Sequence, residues 1–192
     1  MRLFIISLLS LSFLFSTQIN AQSFDLSMLD KASTLLDSGQ QEKSGEVLGS
    51  AMGLLTKSAK ASGGDFTSKI LSQAGVINKM LPALAKGTAN VGKIQTVISQ
   101  IKMLASAMNL SSMVSGGNLL GNSKSLVSNV DVLKSGMSML GGGAKVNTIT
   151  KSLDKVTKKA PKLEKSGMFA NMAQKAVSKK LESSLSLLGG LL

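Results

Sequence analysis

The apolar residues of this chain recur at intervals of three and four, the spacing that places side chains on one face of an α-helix. The clearest case is VGKIQTVISQIKMLASAM, residues 91–108, where Ile94, Val97, Ile98 and Ile101 follow this spacing and mostly polar residues lie between them. No alternating apolar stretch bounded by hairpin turns indicates a β-strand. We therefore predict a core helix over residues 91–108 and an all-α fold.

Glycines divide the rest of the chain into further helices, because glycine is poor in helix interiors and common at helix ends. The candidate helices are 24–38, 42–61, 65–81, 91–108, 123–140, 147–160 and about 161–188. Asp65 fits an N-cap, Pro82 fits a first-turn position, and the region of Gly87 fits a joint. This pattern predicts a single helical bundle of about six to eight helices.

The N-terminus has the pattern of a secretory signal peptide. Arg2 is followed by a largely apolar run over residues 3–15 and a small-residue site that ends at Ala21. This run of about 13 residues is too short to span a bilayer, and no continuous apolar run of that length follows it. We expect cleavage after Ala21, with 1–21 the signal peptide and 22–192 one helical domain without a transmembrane span. The product would be exported, either periplasmic or extracellular.

The composition argues against most kinds of enzymatic catalysis. The chain has no histidine and no cysteine, so it lacks the commonest general base, the commonest metal ligand and the best nucleophile at neutral pH. Two S-x-x-K matches, Ser99–Lys102 and Ser152–Lys155, resemble a piece of the penicillin-recognising serine enzymes, but the other elements of those enzymes are missing. The ten methionines after residue 21 could suit Cu(I), although core packing is the usual role of methionine. We expect no enzyme activity, no cofactor and no metal.

Positive charge is concentrated in the second half of the chain. Residues 97–192 contain thirteen lysines and four acids, whereas residues 22–96 contain eight lysines and six acids. The densest stretch is KSLDKVTKKAPKLEKSG, residues 151–167, with six lysines and two acids. These lysines are the candidate anion-binding residues: Lys151, Lys155, Lys158, Lys159, Lys162 and Lys165.

All of these lysines except Lys159 fall within an arc of about 80° on an ideal helix, opposite an apolar arc. The apolar arc consists of Ile149, Leu153, Val156, Ala160 and Leu163. Pro161 complicates this arrangement, since proline breaks or kinks a helix and disfavours helical geometry at the preceding Ala160. We therefore expect the five lysines to be divided between two adjacent helices, with Pro161 opening the second.

Several partners fit a basic helical surface of this kind. Nucleic acid fits poorly, because residues 22–192 contain no arginine and only three aromatic residues. Anionic lipid or acidic envelope polysaccharide fits better, since lysine acts as a point charge towards an anionic surface. Three alternatives remain open: a solvated surface that keeps the protein soluble, a carrier with an apolar ligand in a Met- and Leu-rich pocket, and a membrane-active toxin.

Three segments, GEVLGSAMGLLTKSAK, DFTSKILSQAG and MLASAMNLSSMV, resemble small secreted bacterial domains of unknown function that are rich in Gly, Leu, Ser and Ala. The resemblance covers about residues 45–115 and implies bacterial export and an all-helical fold, with no activity. A second similarity is internal, between residues 47–60 and 132–145. Duplication or chance in a chain of this composition could explain it.

Overall fold

The structure, a computed structural model, describes residues 24–64, 66–139 and 143–191. Within these ranges the chain is α-helical and contains no β-strand, so the predicted all-α bundle is confirmed. The predicted signal peptide, its cleavage site and the Asp65 cap lie outside the described residues. The helices are α1 Ser27–Asp37, α2 Gln41–Ser62, α3 Thr67–Ala85, α4 Val91–Ser115, α5 Ser123–Ser138, α6 Ala144–Lys159, a 3-10 helix Ala160–Glu164, and α7 Met168–Gly189.

Helix α4 lies at the centre of the bundle and packs against α1, α2, α3, α5 and α7. The N-cap residue Asn90 starts it by accepting a hydrogen bond from the backbone N–H of Lys93 at 3.0 Å. Every residue from 103 to 110 is buried, including Ser106, which the helical pattern placed between the apolar positions. The prediction of a core helix was correct, but this part of α4 is buried all round rather than on one face.

Buried apolar side chains from all seven α-helices form one connected core. Methionines contribute to it as expected of flexible fillers, with Met52, Met103 and Met137 at most 1% exposed. Asn109 of α4 secures the start of the described chain: its side chain accepts from Phe24 N at 2.9 Å and donates to Phe24 O at 3.0 Å. The C-terminal segment also packs on the bundle, because Leu181 and Leu188 of α7 are fully buried.

One detail of the sequence interpretation was wrong. Pro82 does not open a new helix but lies within the last turn of α3, near the joint at Gly87. The carbonyl that loses a donor to this proline is that of the exposed Asn78, so water can hydrate it. Of the two similar segments, 47–60 lies within α2, whereas residues 132–138 belong to α5 and residues 144–145 to α6.

Candidate anion-binding surface

Helix α6 separates its apolar and basic residues onto opposite sides. Ile149, Leu153 and Val156 are fully buried against the bundle, whereas Lys151 and Lys155 are exposed. The helix forms this way because residues 149–163 repeat apolar positions at three and four, and burial of that stripe fixes which side faces solvent. The exposed side of α6 therefore carries the first part of the predicted lysine arc.

The chain continues through Pro161 without a sharp break. Ala160 keeps right-handed helical geometry, with φ −51° and ψ −43°, and Pro161 takes the first turn of the 3-10 helix. The buried stripe also continues, since Ala160 is 0% and Leu163 is 1% exposed. The expectation that Ala160 leaves the helical region was wrong. Pro161 lies in the first turn of a tighter helix, where its missing N–H would have had no intrahelical acceptor.

Four of the five lysines of the predicted arc are exposed on α6 and the 3-10 helix. They are Lys151, Lys155, Lys158 and Lys162. Lys162 stays in line because the buried Ala160 and Leu163 on either side of it keep the opposite face against the core. Lys165 is exposed but lies beyond the 3-10 helix in extended backbone, at φ −78° and ψ 162°. Lys159 is half-buried at the end of α6, beside the row. We call the four residues the lysine row.

Both acids of the stretch are held by residues of α5. The Asp154 carboxylate forms an ion pair with Lys134 at 2.5 Å, rather than with Lys158 one turn away. Glu164 Oε1 accepts a hydrogen bond from the backbone N–H of Ser123 at 3.0 Å. Hydrogen bonding by the Ser123 side chain and backbone, assisted by the charge of Lys124, lowers the pKa of Glu164 below 4.5. Neither carboxylate therefore forms an ion pair with the lysine row among the described residues.

Sequence reasoning missed three exposed apolar residues at the start of α7. Met168, Phe169 and Met172 are 75%, 76% and 61% exposed, although core packing is the usual role of methionine. A helical wheel of α7 could have found them, because its buried positions Ala170, Ala173 and Val177 define a face that excludes all three.

Two open clefts lie elsewhere on the bundle. One has a volume of about 430 Å³ and is lined mainly by polar residues of α3 and α4, including Ser68, Lys69 and Gln100. The other, of about 220 Å³, lies between α4 and α5 and brings Ser99 and Lys102 near Asp131. Lys102 Nζ is already paired with Asp30 at 2.5 Å. Neither cleft is an enclosed pocket lined by methionine and leucine, so neither supports the carrier interpretation.

No group of three or more carboxylate, histidine or cysteine side chains that could hold a metal ion occurs in the part of the chain that the structure describes. Among the helices of residues 24–64, 66–139 and 143–191, none is long and apolar enough to cross a membrane. Comparisons of the chain with protein-family models, with curated proteins and with solved structures found no match.

Proposed function

We propose that this chain is a non-enzymatic, exported bacterial protein that binds anionic components of the cell envelope through the lysine row and its neighbours. The resemblance to small secreted bacterial domains and the signal-peptide pattern support export to the periplasm or beyond. The chemistry recognised would be a surface of repeated negative charges, such as anionic lipid head groups or acidic polysaccharide.

One observation carries the proposal: the lysine row is exposed along one side of α6 and the 3-10 helix, while Asp154 and Glu164 bind to α5. Like charges three and four positions apart repel each other on a helix. A row of negative charges outside the protein would relieve this repulsion. Placing so many lysines together costs stability in the free protein, which is consistent with selection for a partner.

The test compares two variants with the same change in net charge. The first replaces the lysine row by glutamine at Lys151, Lys155, Lys158 and Lys162. The second replaces four exposed lysines of the first half of the chain by glutamine: Lys31, Lys57, Lys60 and Lys86. Binding to phosphatidylglycerol vesicles and to an acidic polysaccharide is then measured at several salt concentrations.

Binding of the unaltered protein should weaken as salt rises, because added ions screen exposed charges. Each lysine near an anionic surface is worth about 1 kcal/mol, so the row variant should lose far more affinity than the control variant. Equal losses in the two variants would show that net charge acts without a specific surface. Absence of binding to both ligands would reject the proposal.

A further inference from the structure

The three exposed apolar residues of α7 occupy one end of the bundle together with a loop. The chain reverses at Gly167, φ +82°, so that α7 starts beside the end of α6 and runs back along it. The loop between α4 and α5 is fixed at the same end, since Gly121 N donates to Leu163 O at 3.3 Å and Gln174 Nε2 donates to Gly117 O at 3.1 Å.

This loop adds Leu120, which is 38% exposed, to the same end. We call the four exposed residues Leu120, Met168, Phe169 and Met172 the apolar tip. Soluble proteins do expose single apolar side chains, but neighbouring large ones at one site indicate an interaction surface. Phe24 and Phe66 are buried at 6% and 5% exposure, so Phe169 differs from the other described aromatic residues.

The segments that carry the apolar tip also carry exposed lysines. Lys162 and Lys165 precede Phe169 in the chain, Lys175 follows it on α7, and Lys124 lies in the first turn of α5; all four are exposed. The sequence has no acid between residues 165 and 181, and the start of α7 adds the positive end of a helix dipole. The described acid closest in sequence is Glu164, which is bonded to Ser123.

We infer that the apolar tip inserts into the surface of an anionic lipid bilayer, while these lysines contact the lipid head groups. This inference rests on the proposed function and chooses lipid among the anionic partners. Amphipathic helices bind bilayers with apolar residues in the acyl boundary and lysines at the head groups. Acidic polysaccharide offers no apolar phase for Phe169, and a second copy of the chain would bring a tip of the same charge.

The absence of tryptophan and tyrosine from the chain allows a local test. Phe169→Trp places the only tryptophan at the apolar tip, and Leu54→Trp places it on α2, where Leu54 is 50% exposed. The protein is purified after expression of the full-length chain, and its N-terminus is determined by mass spectrometry. Emission is recorded with vesicles of phosphatidylcholine alone and with added phosphatidylglycerol.

We expect a blue shift of the emission of Trp at position 169 with anionic vesicles and none at position 54. Replacing Met168, Phe169 and Met172 by glutamine should weaken vesicle binding at least tenfold, which corresponds to about 1.4 kcal/mol. Replacing three exposed apolar residues elsewhere by glutamine, Leu54, Met139 and Leu187, is the matched control and should leave binding unchanged.

The outcomes separate this inference from the proposed function. If the vesicles bind the protein through the lysine row without a blue shift at position 169, the insertion is rejected and the proposed function stands. Binding to acidic polysaccharide but not to vesicles would likewise reject the insertion and leave the proposed function in place. If neither ligand binds, both fail. A shift of equal size at positions 54 and 169 would also overturn the insertion.

Discussion

Gly136 of α5 lies directly against Met103 of α4. A Cβ atom at this position would lie 2.5 Å from Met103 Cβ, too close for any side chain without movement of the helices. At Gly53, in the middle of α2, an added Cβ atom would have no neighbouring atom within 4 Å. The two glycines therefore have different roles, although both lie within helices.

We predict opposite effects of the same substitution at these two positions. Gly136→Ala should destabilise the protein by about 1 to 3 kcal/mol through overpacking. Gly53→Ala should stabilise it by about 0.5 to 1 kcal/mol, since alanine restricts the unfolded chain and no contact opposes it. Urea denaturation of both variants measures this, and a stable Gly136→Ala protein would contradict the close approach of α4 and α5.

Glu164 is a single residue whose contribution to the free energy of unfolding depends on pH. Hydrogen bonding by the Ser123 side chain and backbone lowers the pKa of Glu164 from its ordinary value. The ionised carboxylate therefore stabilises the fold at pH values above that ordinary pKa. This stabilisation is lost as the pH falls through the lowered pKa of the folded state. Glu164→Gln should therefore reduce the free energy of unfolding more at pH 6 than at pH 3. An equal reduction at both pH values would show that the charge of Glu164 is not involved.

At the scale of elements, Lys155 connects the stability of α6 to its proposed role. It lies four residues from both Lys151 and Lys159, and each like-charged pair of this kind costs about 0.2 to 0.5 kcal/mol. Lys155→Gln should therefore raise stability slightly at low salt and weaken binding to anionic vesicles. The control Lys31→Gln on α1 removes a lysine with no charged residue three or four positions away. A stability gain that persisted in 1 M salt would contradict a role for charge.

The helices could be predicted from the sequence because their burial follows the local period. The stripe from Ile149 to Leu163 is an example, since the same residues were assigned to the apolar arc and are buried. Positions that depend on neighbouring helices could not be predicted this way. The burial of Ser106 follows from the central place of α4, and the partner of Asp154 is on α5, twenty residues away in the chain.

The lysine row was only partly predictable, because its outcome depended on the turn at Pro161. A 3-10 turn keeps Lys162 in line, while the extended backbone after it takes Lys165 off the helix.

The apolar tip could have been predicted only by comparing the faces of α7, not from composition. Composition favoured burial of Phe169, whereas the face of α7 set by Ala170 and Ala173 leaves it outside.

At the scale of the whole molecule, α4 makes the bundle one structural unit. It contacts helices from both ends of the chain, α1 to α3 on one side and α5 and α7 on the other, and α6 joins through α5 and α7. Loss of packing within α4 should therefore destabilise all the helices together. If the more basic second half of the chain unfolded separately, the buried residues of α4 would lose their contacts with α5 and α7.

We therefore expect a single unfolding transition. Tryptophan at position 54 on α2 and at position 169 on α7, each in its own variant, should report the same urea midpoint as the helical signal in circular dichroism. Leu110→Ala, at a fully buried position of α4, should cost about 2 to 5 kcal/mol and lower the midpoints of both tryptophan variants together. As a comparison, Leu153→Ala removes a fully buried side chain of α6. If it lowered the midpoint only for the probe on α7, the two halves would unfold independently and the central role of α4 would be wrong.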